Sequence, residues 1–279
     1  MCRLYGFRSV IPSQAHRSLV NADNALATQS ERHPDGWGVA YYVDDAPHVT
    51  RSSSTALHDN LFKRVSGVVA SQTVVAHIRK ATVGEVSVLN CHPFQYGRWV
   101  FAHNGDIPEF GRCRDEIEAQ ISPTLRRYIL GDTDSERVFF LFLTQLERLG
   151  PLGSRLGIGP IMSALEETVT TIRRIADTPD APAPSLLTLL VTDGTSMAAI
   201  RGGKDLYWST HKNRCVDSEG CPHYSDVCEA PTRTGLVNHF IVSSEPVSDD
   251  NVWTEFKEGE VIGVDAGMRL SRRVKAVAA

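Results

Sequence analysis

A cysteine at position 2, directly after Met1, offers a nucleophile and a base on one residue. Initiator methionine is trimmed ahead of small side chains, so Cys2 would become terminal. Its α-amine, with an ordinary pKa of roughly 7.7–8.0, would accept a proton near neutrality. Some residue must follow Met1 in any chain, so the weight falls on residues elsewhere. Arg79, in the stretch His77–Gly84 (HIRKATVG), cannot lose its charge, and its planar fork suits a carboxylate held by two parallel hydrogen bonds. A salt-bridged arginine at a strand end would look the same. Asp134, in Asp132–Glu136 (DTDSE), stands where a helix should begin and its dipole stabilises a carboxylate. Asn104 and Gly105, in His103–Gly105 (HNG), offer a side-chain amide and a backbone N–H. Two such donors suit an oxyanion, each worth on the order of 3 kcal/mol of barrier, although Asn-Gly is also a frequent turn.

These residues need rigid elements beneath them. Leu4, Tyr5 and Phe7 predict a strand that holds Cys2, and a helix is expected from Ser13 to Gln29. Gly36–Val43 (GWGVAYYV), broken by Asp44-Asp45 and Pro47, reads as a hairpin arm. Gln72–Arg79 and Arg98–His103 read as buried strands that end where the polar residues begin. Thr133 to Glu136 fits a capping box opening a helix too apolar all round to face water. A second helix follows from the spacing of Ile161, Leu165, Val169, Ile172 and Ala176. Strands are then expected at Leu186–Thr192, Met197–Arg201, Leu206–Ser209, Leu236–Ser243 and Val261–Asp265, with Asp193-Gly194 as a tight turn. Strands, two long helices and strands again, with no polar linker between, imply layers of helix and sheet in one domain.

Cys2, the stretches already quoted, Asn90–Phe94 (NCHPF) and His33–Tyr42 (HPDGWGVAYY) together resemble the class II glutamine amidotransferases, which are N-terminal nucleophile hydrolases. The likeness is nearest to the stand-alone bacterial members of the YafJ and EgtC type, strongest from Cys2 to Glu136 and weak after residue 180. It implies an α+β fold, a four-layer αββα sandwich of two mainly antiparallel sheets between helices, with residues 1–279 as a single type-2 amidotransferase domain. It also implies that Cys2 attacks a γ-glutamyl amide to form a γ-glutamyl thioester, while Asn104 and Gly105 hold the oxyanion. Arg79 and Asp134 would take the α-carboxylate and α-ammonium of the substrate, with Thr82 a minor contact. Asp35, Gly36 and Gly38 would shape the adjoining loop, and Trp37 is either a core anchor or a pocket wall. Amino-sugar synthases of the class carry Trp and His where this chain has Lys80 and Val83, so leaving-group specificity is expected to differ. Cys91 replaces a small or hydroxylated residue.

Composition narrows the partners. In 279 residues, 29 basic and 33 acidic side chains leave a net charge of −4, with no basic block for a nucleic-acid backbone or an anionic membrane. No apolar run suits a bilayer or a leader, which makes the cytoplasm the expected address and a small-molecule γ-glutamyl compound the expected substrate. Six cysteines are too few for a disulfide framework, and His211, Cys215, Cys221, His223 and Cys228 lack the tight pairs of a zinc site and read as loop residues. No metal or cofactor is expected. Nothing resembles a nucleotide-binding loop, so the chain is either a hydrolase or a glutaminase lending ammonia to a separate synthetase. A retained Met1 would leave a non-catalytic amino-acid-binding module.

Overall fold

The computed structural model describes residues 2–14, 17–22, 24–215 and 218–274. Its strands are β1 (Arg3–Gln14), β2 (Trp37–Val43), β3 (Ala46–Ser52), β4 (Ala70–Ile78), β5 (Phe94–Tyr96), β6 (Trp99–Asp106), β7 (Leu186–Thr192), β8 (Met197–Ile200), β9 (Tyr207–Ser209), β10 (His239–Ser243), β11 (Thr254–Glu255), β12 (Glu260–Val264) and β13 (Leu270–Val274). Its helices are α1 (Leu26–Gln29), α2 (Asn60–Val68), α3 (Arg114–Gln120), α4 (Pro123–Arg126), α5 (Asp134–Glu147) and α6 (Ile158–Ala176). One sheet runs β11-β9-β10-β1-β4-β2-β3 and the other β13-β12-β8-β7-β6-β5, with every pairing antiparallel.

Strand alternation sorts the apolar side chains into three cores. Leu4, Ala40, Val75, Val100, Ala102, Leu190 and Phe240 meet between the sheets. Their strand neighbours Tyr5, Val39, Val74 and Ala76 point outward onto Leu26 and Phe62 of α1 and α2. Phe101, Leu189 and Val191 point the other way, onto Phe139 and Phe142 of α5 and Leu165 of α6. Helix, sheet, sheet and helix are therefore stacked as four layers, the α+β sandwich expected of the family. Every residue of α5 from Asp134 to Leu146 is buried, because α3, α4 and α6 cover the faces that the second sheet leaves.

Several elements differ from the sequence expectations. The helix expected over Ser13–Gln29 is broken: β1 continues to Gln14, and only Arg17–Asn21, a π-type turn, and α1 are helical. Ala15, His16 and Asp23 lie outside the described residues. Asn24 ends the first piece, donating to the carbonyl of Pro246 at 2.9 Å and accepting from Gln29 on its own carbonyl at 2.8 Å. The hairpin of β2 and β3 is as expected, and Asp44 and Asp45 take φ of 49° and 65° at its tip. The β7–β8 connection is a wider loop over residues 193–196, because the Asp193 carboxylate accepts from the backbone N–H groups of Thr195 at 2.9 Å and Ser196 at 2.7 Å. Only half of the capping box forms: Thr133 accepts from the Glu136 N–H at 3.2 Å. The Glu136 carboxylate turns instead to the N–H groups of Leu130 at 3.0 Å and Gly131 at 2.7 Å.

Candidate active site

Register places the first group of residues. Arg3 lies opposite Ile78 and Trp37 opposite the same Ile78, so one step outward Cys2, Arg79 and Gly36 form a row across β1, β4 and β2. The Arg79 N–H donates to the Gly36 carbonyl at 2.7 Å, and the Asp35 N–H donates to the Arg79 carbonyl at 3.1 Å. Asp35 also accepts from the Ala81 N–H at 2.8 Å, fixing the turn out of β4. There the Cys2 Sγ meets both the N–H and the carbonyl of Lys80 at 3.3 Å, and Cys2 is 8% exposed.

The electrostatics of this sulfur identify its neighbours. Burial pushes the Cys2 thiol above its ordinary range; the Lys80 hydrogen bond and the Arg79 guanidinium pull it down, and Asp134 pushes it up. Arg79 and Asp134 are thus both within electrostatic reach of Cys2. Arg79 is buried and makes no ion pair among the described residues, so it is not the salt-bridged strand-end arginine. Its guanidinium donates to the carbonyls of Glu85 at 3.0 Å, Val83 at 3.1 Å and Gly84 at 3.4 Å, holding loop 80–87 around the charge. Asn90 braces that loop, donating to the Glu85 carbonyl at 2.9 Å and accepting from the Asp132 N–H at 3.1 Å. Asp134 opens α5, accepting from the N–H groups of Ile107 at 2.9 Å and Ser135 at 2.7 Å. Two buried opposite charges beside one thiol can bind a zwitterionic amino-acid head. Thr82 is exposed on the loop and makes no side-chain hydrogen bond among the described residues.

Asn104 and Gly105 come from the other sheet and are not a turn. Both lie within β6, Asn104 opposite Thr188 and Gly105 opposite Leu187 on β7. Asn104 shares the inward parity of Val100 and Ala102, and its amide meets the Ser244 Oγ at 3.1 Å. That hydroxyl also accepts from the Leu4 N–H at 3.0 Å, two residues from Cys2. The two sheets are stitched once more where His77 Nε2 meets the His103 carbonyl at 3.1 Å. Leu187 turns its N–H away from β6 to the Gly202 carbonyl at 2.6 Å, so by alternation the Gly105 N–H faces past the end of β5 without a strand partner. A Cβ on Gly105 would collide with the Leu186 carbonyl, which explains the glycine.

Sequence reasoning assigned no role to Ser244, Ser135 or the placement of His103. As oriented, Asn104 leaves its Oδ1 buried and unpartnered. Turning the amide over lets Ser244 donate to Oδ1 and frees both Nδ2 hydrogens for an oxyanion. His103 Nδ1 meets the Ser135 Oγ at 2.9 Å, and Ser135 lies 3.2 Å from the Asp134 Oδ1, so a polar chain backs the acidic residue. Only the HNG and DTDSE motifs hinted at this pairing. Trp37 proves to be a core anchor, fully buried, with its indole N–H donating to Asp59 at 2.9 Å and its ring edge-on to Phe62. Val83 packs against the α5 core, and the buried Cys91 thiol faces the Ser52 and Ser87 carbonyls.

A cavity of about 970 Å³ lies elsewhere, on the outer face of the first sheet, walled by Phe7, His239, Ile241, Cys215, Cys221 and Asn251. Among the described residues no group of His, Cys, Asp or Glu is arranged to hold a metal, and no helix is long and apolar enough to cross a membrane.

Comparisons with known proteins give the chain's relatives and fold. The probable glutamine amidotransferase DUG3 of Saccharomyces cerevisiae is 31% identical over 226 residues, 72% of this chain, and the chain spans 63% of its length. The γ-glutamyl-hercynylcysteine sulfoxide hydrolase of Mycobacterium tuberculosis is 32% identical over 101 residues, 36% of this chain and 38% of that one. In fold, a class-II glutamine aminotransferase domain protein from Silicibacter pomeroyi superposes with a TM-score of 0.62 at 23% identity, covering 99% of this chain and all of its own. The family model described as glutamine amidotransferases class-II matches residues 1–276, and the chain belongs to that family.

Proposed function

We propose that this chain hydrolyses a γ-glutamyl amide through a thioester on Cys2, as a single amidotransferase unit over residues 1–279. The observation that carries the reading is the Cys2 sulfur seated on the Lys80 backbone beside buried Arg79 and Asp134, with Asn104 joined to the same strand end through Ser244. With Met1 removed, the Cys2 α-amine takes the thiol proton, directly or through a water, as sulfur attacks the γ-carbonyl. Arg79 holds the substrate α-carboxylate and Asp134 its α-ammonium, and Thr82 adds a contact from the loop. The tetrahedral oxyanion rests on the Asn104 amide and the Gly105 N–H. Collapse breaks the C–N bond and returns the proton to the departing nitrogen. Water then opens the thioester and releases glutamate.

With residue 1 in place, burial raises the Cys2 thiol; once Cys2 is terminal, its own α-amine is the base beside the sulfur. The mycobacterial relative's name supports hydrolysis over ammonia delivery. Cys2→Ala should abolish turnover of L-glutamine and other γ-glutamyl amides with an unchanged circular dichroism spectrum, and persisting turnover would refute the assignment. Intact-mass measurement of active material should show a chain lacking Met1. A partner synthetase that co-purifies and consumes the ammonia, with little turnover by the isolated chain, would replace the hydrolase reading by the ammonia-donor one.

A further inference from the structure

Beside the Asn104 and Ser244 corner a cavity of about 280 Å³ opens, walled also by Arg3, Lys204, Tyr207 and Glu245. Its charges can be accounted for one by one. Glu245 is paired with Arg3, and Asp205, on the same rim, is paired with Arg201 at 2.9 Å. Lys204, half-buried, has no ion pair among the described residues. Among the described residues, Lys204 is thus the cation of this cavity that no carboxylate pairs. The Tyr207 hydroxyl makes no hydrogen bond among the described residues. Burial, with Glu255 and Asp205, holds that phenol above its ordinary range and so keeps it a donor.

Lys204 is also anchored to the reaction centre. Thr188 stands directly across β6–β7 from Asn104, and its hydroxyl accepts from the Lys204 N–H at 3.1 Å and donates to the Lys204 carbonyl at 3.0 Å. The backbone of Lys204 is therefore tied to the strand residue facing the amide that would hold the oxyanion. In the tetrahedral intermediate the departing nitrogen is bonded to the same carbon as that oxyanion, so the leaving group lies next to this corner.

We propose that this cavity binds the leaving amine, and that Lys204, with Tyr207, receives a carboxylate carried by it, so the preferred substrate is a γ-glutamyl amino acid or short γ-glutamyl peptide. This inference rests on the γ-glutamyl hydrolase reading and specifies its leaving group. The Sγ–C bond forms as the carbonyl π bond opens to the oxyanion, the C–N bond breaks when that intermediate collapses, the thiol proton ends on the departing nitrogen, and the amino acid leaves with its carboxylate still ionised against the Lys204 ammonium. A carboxylate two bonds from the leaving nitrogen suits a cavity of this size, and a charge-assisted hydrogen bond supplies roughly tenfold or more in selectivity.

The test compares kcat/KM for L-γ-glutamylglycine with that for L-γ-glutamylglycinamide, the same molecule without the charge. The native enzyme should prefer the acid by about tenfold. Lys204→Gln should collapse that ratio to about twofold or less, Lys204→Arg should keep most of it, and Lys204→Glu should invert it. Equal values for both substrates in the native enzyme, or a Lys204→Gln variant that retains the ratio, would overturn the Lys204 assignment while leaving the hydrolase reading in place. Absence of turnover of every γ-glutamyl amide by demethionylated native enzyme would overturn the hydrolase reading, and this inference with it.

Discussion

At the scale of single residues, the site is a set of buried polar groups whose partners are mostly backbone. The Cys2 sulfur hydrogen-bonds to the Lys80 backbone, and burial raises its thiol pKa. Its alkylation by iodoacetamide, followed by peptide mass mapping, should therefore be slow at pH 7 and still be rising above the ordinary thiol range; a fast, flat profile from pH 6 would contradict a neutral resting thiol. Ser244 is the residue whose role the geometry adds. If its hydroxyl turns the Asn104 amide toward the oxyanion, Ser244→Ala should lower kcat about tenfold with KM within about twofold, and Ser244→Thr should restore most of the loss. Equal losses in kcat and thermal stability would mark Ser244 as merely structural.

At the scale of elements, the strands act as rulers. The offset of β1 against β4 sets Cys2 beside Arg79, and the alternation of β6 turns Asn104 inward and the Gly105 N–H away from β7. Gly105→Ala should force β6 from β7, because the new methyl meets the Leu186 carbonyl rather than a flexible side chain. A lowered melting temperature together with lost activity is expected, and an unaltered melt would show that the ladder can give. Helix α5 depends on its N-terminus, where Thr133 caps Glu136. Thr133→Ala should cost about 1 kcal/mol in urea unfolding. It should also raise KM, since Asp134 sits in the first turn of the same helix. An effect on stability without one on KM would separate the cap from the substrate head.

At the scale of the whole molecule, packing buries imidazoles, His77 between the two sheets and His239 on the outer face of the first sheet. Burial lowers His77 from 6.5 to about 3 and His239 from 6.5 to about 4. Both folded values lie below the unfolded one, so the unfolded chain takes up these protons first. Their contribution is intact above pH 6.5 and is lost as pH falls toward 4 and then 3. The urea midpoint should therefore fall between pH 6.5 and 4, and His239→Gln should flatten part of that slope. A midpoint independent of pH across this window would show that neither ring is held neutral.

The order of elements, the hairpin at Asp44-Asp45, the buried helices α5 and α6 and the residues able to do chemistry were legible in the chain, because side-chain type and period are local properties. Legibility failed where long-range contacts prevail: Asn24 is drawn to Pro246, Glu136 abandons its cap for the turn before α5, and β5, β11 and β13 exist only because a neighbouring strand pairs with them. The sequence by itself determined which residues could attack, bind a zwitterion and hold an oxyanion. Tertiary structure alone decided that Asn-Gly is strand rather than turn and that Ser244 joins Asn104 to the strand bearing Cys2. It alone brought Lys204 to the cavity beside them, since strand register and the stacking of two sheets are set by partners far apart in the chain.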